Sequence, residues 1–159
     1  MIARLALGCA LVACTVMPAA ASDRVTIDAL VSQHAKAYGV PEALIHRVIR
    51  RESGYNPNAR NRIYFGLMQI SHATARGMGY RGSASGLLDA NTNLNYAVAY
   101  LANAYRVAGG NHDRAVALYA GGYYYVAKRK GLLGELRTAM SDPVATGAVT
   151  GASALAQRP

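Results

Sequence analysis

One glutamate in this sequence, Glu52, combines a helical position with surroundings that suit acid chemistry. Residues 41–54 begin with a proline and end with a glycine, which are favoured in the first turn and just past the end of a helix. Glu52 falls four residues after Val48 and three after Ile49, so it extends the apolar stripe of that helix. Burial disfavours the charged form of a carboxyl group, and an acid in this position can hold a proton for a leaving oxygen.

The position of Glu52 also permits a second interpretation. A glutamate in the last turn of a helix can extend into solvent or pair with its neighbour Arg51. Charged residues are rarely buried without a partner, and position alone therefore leaves both interpretations open.

The residues that follow Glu52 resemble the signature motifs of a known family. Residues 52–59 read Glu-Ser-Gly-Tyr-Asn-Pro-Asn-Ala, and residues 66–70 read Gly-Leu-Met-Gln-Ile. They are similar to the first two motifs of the soluble lytic transglycosylase catalytic domain, E-S-x-aromatic-x-P-x-A and G-L-M-Q-I. Segments within residues 88–101 and residues 118–122 resemble its third and fourth motifs, in family order.

The resemblance implies a lysozyme-like, mainly helical fold that cleaves the β-1,4 bond between N-acetylmuramic acid (MurNAc) and N-acetylglucosamine (GlcNAc) in peptidoglycan. It further implies that Glu52 is the catalytic acid and base, that Gln69 lines the cleft, and that Tyr119 contacts the N-acetyl region of the substrate. The polar connector over residues 53–64 is expected to form a wall of that cleft. Without the motif, Gln69 would be interpreted as a buried, hydrogen-bonded amide, and its neighbour Met68 is a further candidate contact.

The sequence departs from the family pattern at several positions. Residues 60–65 form a shorter segment than usual and lack a serine that often contacts the sugar, and Asn61 is the nearest candidate for that role. Ala120 replaces the asparagine of the fourth motif, and the third block carries two further replacements, Ala90 and Ala97. These changes affect the expected sugar subsites and not the class of reaction.

Tyrosines are concentrated near the fourth motif, where four of the chain's eleven lie between Tyr119 and Tyr125. A tyrosine has a flat apolar face and a polar tip, which suits sugar rings. We expect one or two of these side chains to line the cleft, and Tyr123 is a candidate beside Tyr119.

Helical periodicity recurs along the chain, whereas strand-like alternation of useful length does not. We expect a first helix capped by Thr26 or Asp28 and stopped at Gly39, and a later helix over residues 66–76. The domain is therefore expected to be all-α, of the goose-lysozyme and lytic transglycosylase type, with at most a trivial β-hairpin.

Two aspartates precede helical patterns. Asp89 predicts the start of a helix that reaches about Arg106, and Asp113 predicts the start of a helix over residues 115–119. Either could serve as a second catalytic carboxylate, but the pattern favours a capping role for both.

The two ends of the chain have compositions of their own. Residues 1–21 resemble a secretory signal peptide, with a basic start, a short apolar run and a small-residue cleavage site before Ser22. Cys14 also fits a lipobox, so a lipoprotein anchored at that cysteine is the alternative. Residues 141–159 are rich in small residues and are expected to be a disordered tail, which leaves residues 22–140 as the catalytic domain. Either leader predicts export, to the periplasm or beyond the cell.

The net charge of +9 and the placement of cysteine limit the partners. A basic exported protein suggests anionic partners in the cell envelope, and we expect no nucleic acid. The family resemblance further implies service to a secretion or assembly apparatus, which small one-domain members often provide. Both cysteines, Cys9 and Cys14, lie in the leader, and the four histidines lack paired spacing. We therefore expect no metal, no cofactor and a monomer.

The function predicted from these residues is that of a peptidoglycan lytic transglycosylase, which uses one glutamate and leaves 1,6-anhydroMurNAc ends. The first alternative is a hydrolytic muramidase of goose-lysozyme type at the same site. The second is a peptidoglycan-binding or secretion-assembly protein without catalysis.

Overall fold

The computed structural model describes residues 19–139, with side chains from residue 23 onward. The predicted leader, the lipidation at Cys14 and the tail over residues 141–159 lie largely or wholly outside the described residues, so these remain predictions. The α-helices of the described part are α1 (Ala19–Tyr38), α2 (Glu42–Glu52), α3 (His72–Gly77), α4 (Ala90–Val107), α5 (His112–Gly121) and α6 (Tyr124–Arg129). One antiparallel hairpin pairs β1 (Tyr64–Phe65) with β2 (Ile70–Ser71). Short 3-10 helices occur at Ala84–Leu88 and Leu133–Glu135.

This architecture confirms the expected all-α class with a very small hairpin. Within residues 19–139, no helix is both long enough and apolar enough to cross a bilayer.

Helix α4 forms the centre of the fold, because it packs against α1 on one side and α5 on another. Asp89 caps it as predicted, with Oδ1 accepting a hydrogen bond from the amide of Thr92 at 2.8 Å. Its buried positions follow helical spacing and supply much of the core: Asn93, Leu94, Ala97, Val98, Ala99, Leu101, Asn103, Ala104 and Val107.

Helix α2 also follows the sequence prediction. Its four expected core residues, Leu44, Ile45, Val48 and Ile49, are at most 1% exposed. Full burial of each such side chain stabilises the fold by about 1.5–3 kcal/mol. The four together therefore fix the rotation of the helix about its axis. That rotation determines where Glu52 at its end can point.

Two predicted helix starts are wrong. Helix α1 begins at Ala19 and not at Thr26 or Asp28, although it stops as expected before Gly39 at φ +63°. The cap of α5 is Asn111, whose Oδ1 accepts the amide of Arg114 at 2.9 Å. Asp113 instead lies in the first turn of α5.

The predicted helix over residues 66–76 is also wrong in its first half. Residues 66–69 form the turn of the hairpin, and α3 begins only at His72, capped by the hydroxyl of Ser71. Gly66 and Gln69 both have positive φ, at +72° and +49°, which is incompatible with a right-handed helix. The apolar spacing of Leu67 and Ile70 fits either structure, so tertiary contacts decide between them.

Candidate active site

Glu52 is the last residue of α2, and its side chain is 25% exposed. Nε of Arg51 lies 3.7 Å from its Oε1. Both sequence interpretations are therefore partly right: the carboxyl group is mostly buried, and Arg51 approaches the edge that remains open. At 3.7 Å and with Arg51 57% exposed, this is a loose surface contact that leaves the carboxylate accessible.

The loop after Glu52 is held by side chains on both sides. The hydroxyl of Ser53 donates to the carbonyl of Leu67 at 2.7 Å, which links the end of α2 to the hairpin turn. Tyr55 has a left-handed backbone, φ +71°, and its hydroxyl lies 3.0 Å from Nδ1 of His46. The guanidinium of Arg24 lies 3.5 Å from the centre of the Tyr55 ring. These contacts fix the chain direction immediately beyond Glu52.

Gln69 closes the hairpin turn that faces the groove. Its Nε2 donates to the carbonyls of Ala59 and Gly66, each at 2.9 Å. Gln69 is therefore hydrogen-bonded, and the same half-buried side chain lines a surface groove. That this groove is the substrate cleft stays a prediction. With both amide hydrogens engaged, the Oε1 of Gln69 is the atom suited to accept a hydrogen bond from a ligand.

Asn93 holds the other side of the turn, and sequence reasoning did not assign it this role. Its Oδ1 accepts the amide of Met68 at 2.9 Å, and its Nδ2 donates to the carbonyls of Phe65 and Leu87, each at 2.8 Å. A side chain on Gly66 would collide with Asn93 and Leu87, which explains the glycine at that position. The only sequence signal was the place of Asn93 in the third family block.

Tyr119 joins the turn to α5. Its hydroxyl donates to the carbonyl of Met68 at 2.9 Å. Its ring packs edge-on against the ring of Tyr100, with 5.4 Å between the ring centres. Burial, followed by the nearby charge of Glu52 and by Tyr100, raises the pKa of the Tyr119 phenol well above its ordinary value. The phenol is therefore neutral at physiological pH, and the carboxylate of Glu52 lies close enough to influence it.

Gln69 and Tyr119 border a groove of about 140 Å³ between the hairpin, α3, α4 and α5. Ile63 and Tyr64, the last two residues of the polar connector, form an exposed rim of the groove. The lining residues are Ile63, Tyr64, Gln69, Ile70, Ser71, Thr74, Tyr100, Tyr119 and Ala120. Glu52 is not itself a lining residue, and its charge acts on the groove residue Tyr119.

Three candidate site residues lie elsewhere. Met68 is fully buried, so its side chain packs in the core, which corrects the expectation that it contacts substrate. The Oδ1 of Asn61 accepts the amides of Ile63 and Tyr64 at 2.8 Å, and it thereby shapes the connector instead of lining the groove. Tyr123 lies beside the groove, in an adjoining pocket.

Tyr100 and Thr74 are groove residues that sequence reasoning did not single out. Tyr100 stood in the third family block, and that position was the signal that could have identified it. Among the described side chains, no group of three or more metal-ligating residues is close enough to hold a metal ion.

The comparison with protein families identifies the family of this domain. The model described as the transglycosylase SLT domain matches residues 29–139, well over half of the chain. The matched segment contains the end of α2, the hairpin turn and the tyrosines of α5. The chain therefore belongs to the transglycosylase SLT domain family, a family of glycan-cleaving enzymes that bind peptidoglycan.

Proposed function

We propose that this protein is a peptidoglycan lytic transglycosylase that cleaves the MurNAc–GlcNAc β-1,4 bond and leaves 1,6-anhydroMurNAc ends. The observation that carries the proposal is a carboxylate at the end of α2 that is 25% exposed and whose charge acts on Tyr119, which lines a groove together with Gln69.

The reaction requires one proton to be given and one to be taken by the same residue. Glu52 donates its proton to the glycosidic oxygen as the bond to C1 breaks, and the oxygen of the substrate's own N-acetyl group assists at C1. The resulting carboxylate then removes the proton from the C6 hydroxyl, whose oxygen closes the anhydro ring. The carboxyl group is regenerated and no water is consumed.

The positions of the other acids support a mechanism with one carboxylate. Glycosidases with two catalytic groups place two carboxyls on either side of the bond. None of the described acids, Glu52 included, is among the residues that line the groove, but Glu52 is the one whose charge, after burial, raises the pKa of a groove residue, Tyr119. Asp89 caps α4, Asp113 pairs with Arg47 at 2.6 Å, and the remaining described acids also lie outside the groove.

Tyr119 and Gln69 are proposed to hold the N-acetyl region and the adjacent sugar. The hydroxyl of Tyr119 already donates to Met68, so its oxygen is suited to accept a hydrogen bond from the acetamido N–H. Its raised pKa keeps the phenol neutral at physiological pH.

Substitution of Glu52 by glutamine tests the proposal. Glu52→Gln keeps the size of the side chain and removes its acid function, and we expect wall-clearing activity to fall by about a hundred- to ten-thousandfold. The matched control is Glu42→Gln, at the exposed start of the same helix, which should retain activity. A variant Glu52→Gln that still clears cell wall at the native rate would remove Glu52 as the acid.

Mass spectrometry of the products decides between transglycosylation and hydrolysis. Anhydro ends are lighter by one water than the reducing ends that a muramidase leaves. Native protein that yields only reducing ends would contradict the transglycosylase mechanism, and native protein that binds cell wall without cleaving it would favour a binding protein.

A further inference from the structure

We propose that Arg24 is a positioning residue for Glu52 and acts through the ring of Tyr55. This proposal deepens the proposed function and rests on it, since it gives α1 a part in aligning the catalytic carboxyl group. Arg24 and its partner Asp28 precede residues 29–139, the segment that matches the family model. The contact between Arg24 and Tyr55 is therefore a feature of this chain that reaches the site from outside the matched segment.

The chain reverses its direction immediately after Glu52. The amides of Ser53 and Gly54 both donate to the carbonyl of Ile49, at 3.0 and 3.1 Å, and close the last turn of α2. Gly54 and Tyr55 then have left-handed backbones, at φ +58° and +71°. Such a conformation is common for glycine but uncommon for tyrosine, where it persists only if surrounding contacts compensate for it. The geometry of this turn therefore depends on what holds Tyr55.

Two contacts hold the side chain of Tyr55, one from each of the first two helices. Its hydroxyl lies 3.0 Å from Nδ1 of His46, which precedes Glu52 on α2. The guanidinium of Arg24, on α1, lies 3.5 Å from the centre of the ring, well within the range of a cation–π contact. The polar tip of the ring is therefore held by α2 and its face by α1.

Asp28 keeps Arg24 over that ring. Nε of Arg24 donates to Oδ1 of Asp28 at 2.9 Å, across one turn of α1. The same carboxylate oxygen lies 4.0 Å from Nδ1 of His46. A long side chain that would otherwise sample many rotamers is thus restrained by a partner on its own helix. Because both side chains are 46% exposed, the pair adds little to the stability of the whole fold.

Loss of the contact should disturb Glu52 more than the rest of the fold. Glu52 is the last residue of α2, and helix ends fray when the contacts beyond them are lost. The buried residues of α2 hold the body of the helix independently of Arg24. Misplacement of a catalytic group by about 1 Å can cost about a hundredfold in rate. We therefore expect an effect on kcat with little change in KM or in global stability.

Kinetics on soluble peptidoglycan fragments separate positioning from binding. Arg24→Gln removes the cation, and we expect kcat to fall about three- to tenfold while KM stays within about twofold of native. Arg24→Lys keeps a cation and should recover most of that loss. Native kcat in Arg24→Gln, or a loss in KM alone, overturns the proposal.

Lys36→Gln is the matched control, since it removes another exposed positive charge from α1. It should keep native kcat. A loss equal to that of Arg24→Gln would assign the effect to net charge and overturn the positioning role.

A double-mutant cycle tests whether Arg24 acts through Tyr55. Tyr55→Leu removes the ring, and Arg24→Gln in that background should lower kcat by less than about twofold. The full loss in that background would mean that Arg24 acts by another route, which overturns the proposal. If Tyr55→Leu does not fold, Tyr55→Phe takes its place: it keeps the ring, and Arg24→Gln should there retain its full effect.

Amide hydrogen exchange tests the same contact without catalysis. In Arg24→Gln the amides of Ser53 and Gly54 should exchange about three- to tenfold faster, whereas that of Val98, buried in α4, should be unchanged. Unchanged exchange at the end of α2, or equally faster exchange at all three amides, overturns the proposal. Faster exchange confined to the end of α2, in a protein whose native form cleaves no peptidoglycan, contradicts the lytic reaction and supports the contact.

Discussion

Gln69 has a backbone conformation that is uncommon for a residue with a side chain, at φ +49°. Such a conformation costs on the order of 1 kcal/mol and persists where the surroundings compensate for it. The compensation comes from the two hydrogen bonds that its amide donates to Ala59 and Gly66. Gln69 therefore supports the turn and presents its remaining oxygen to the groove.

The change Gln69→Glu should weaken both roles. It replaces the donating amide by a carboxylate oxygen that faces two carbonyls, and we expect the free energy of unfolding to fall by about 1–3 kcal/mol. Wall-clearing activity should fall at least about tenfold, because the turn and its acceptor both shift. Urea denaturation and a clearing assay measure the two effects.

The control for that change is Gln33→Glu, an exposed position on α1, which should leave stability and activity close to native. Native values for Gln69→Glu would show that the two hydrogen bonds do not support the turn.

At the scale of elements, α1 is joined to α4 by two side-chain hydrogen bonds one helical turn apart. Nε2 of His34 lies 2.9 Å from Oδ1 of Asn91, and the hydroxyl of Tyr38 donates to Asn95 at 2.7 Å. Because Asn91 offers an oxygen, Nε2 of His34 carries the hydrogen and donates it. Nδ1 is buried and has no hydrogen-bond partner among the described residues.

This arrangement predicts a loss of stability in mild acid. Burial lowers the pKa of His34, an effect that the bond to Asn91 partly opposes. The unfolded chain, with an ordinary histidine pKa near 6.5, therefore binds a proton more readily than the folded chain. The free energy of unfolding should fall as the pH drops below about 6.5 and continue to fall until the lowered pKa is reached.

Denaturation curves between about pH 5 and pH 7.5 measure this dependence. His34→Gln should flatten the slope, whereas His72→Gln, whose ring bonds the exposed carbonyl of Gly82, should leave it unchanged. Equal slopes in native protein and His34→Gln would assign the acid sensitivity to other groups.

At the scale of the whole molecule, the excess of basic residues sets how the protein meets its substrate. The sequence carries 17 lysines and arginines against 8 acids. Several basic side chains are exposed on α2 and at the end of α6: Arg47, Arg50, Arg51, Lys128, Arg129 and Lys130. Long-range attraction to an anionic wall follows, and salt screens such attraction over about 10 Å at 0.1 M.

We therefore expect Glu52→Gln to bind isolated cell wall several-fold more weakly at about 0.5 M than at about 0.05 M salt. A sedimentation assay measures the bound fraction. Glycan strands from which the stem peptides have been removed are neutral and serve as the control. They should bind with little dependence on salt. Equal salt dependence for both would mean that the net charge does not guide binding to the wall.

The sequence by itself determined the elements whose signals are local. The stripe of α2, the cap of α4 at Asp89 and the position of Glu52 depend on neighbours within one or two helical turns, and the structure agrees with them. The family motifs, whose order along the chain is itself the signal, predicted Gln69 and Tyr119 as site residues, and both line the groove.

Only the tertiary structure decided the conformation of residues 66–71 and the extent of the groove. Leu67 and Ile70 satisfy a helix or a hairpin equally well, whereas Asn93 and Tyr119, distant in the chain, bind the amide and the carbonyl of Met68 and leave neither for a helix. The set of residues that line the groove likewise depends on contacts between residues far apart in sequence. Local periodicity carries no information about such partners, because the choice is made by hydrogen bonds that form only once the helices have packed.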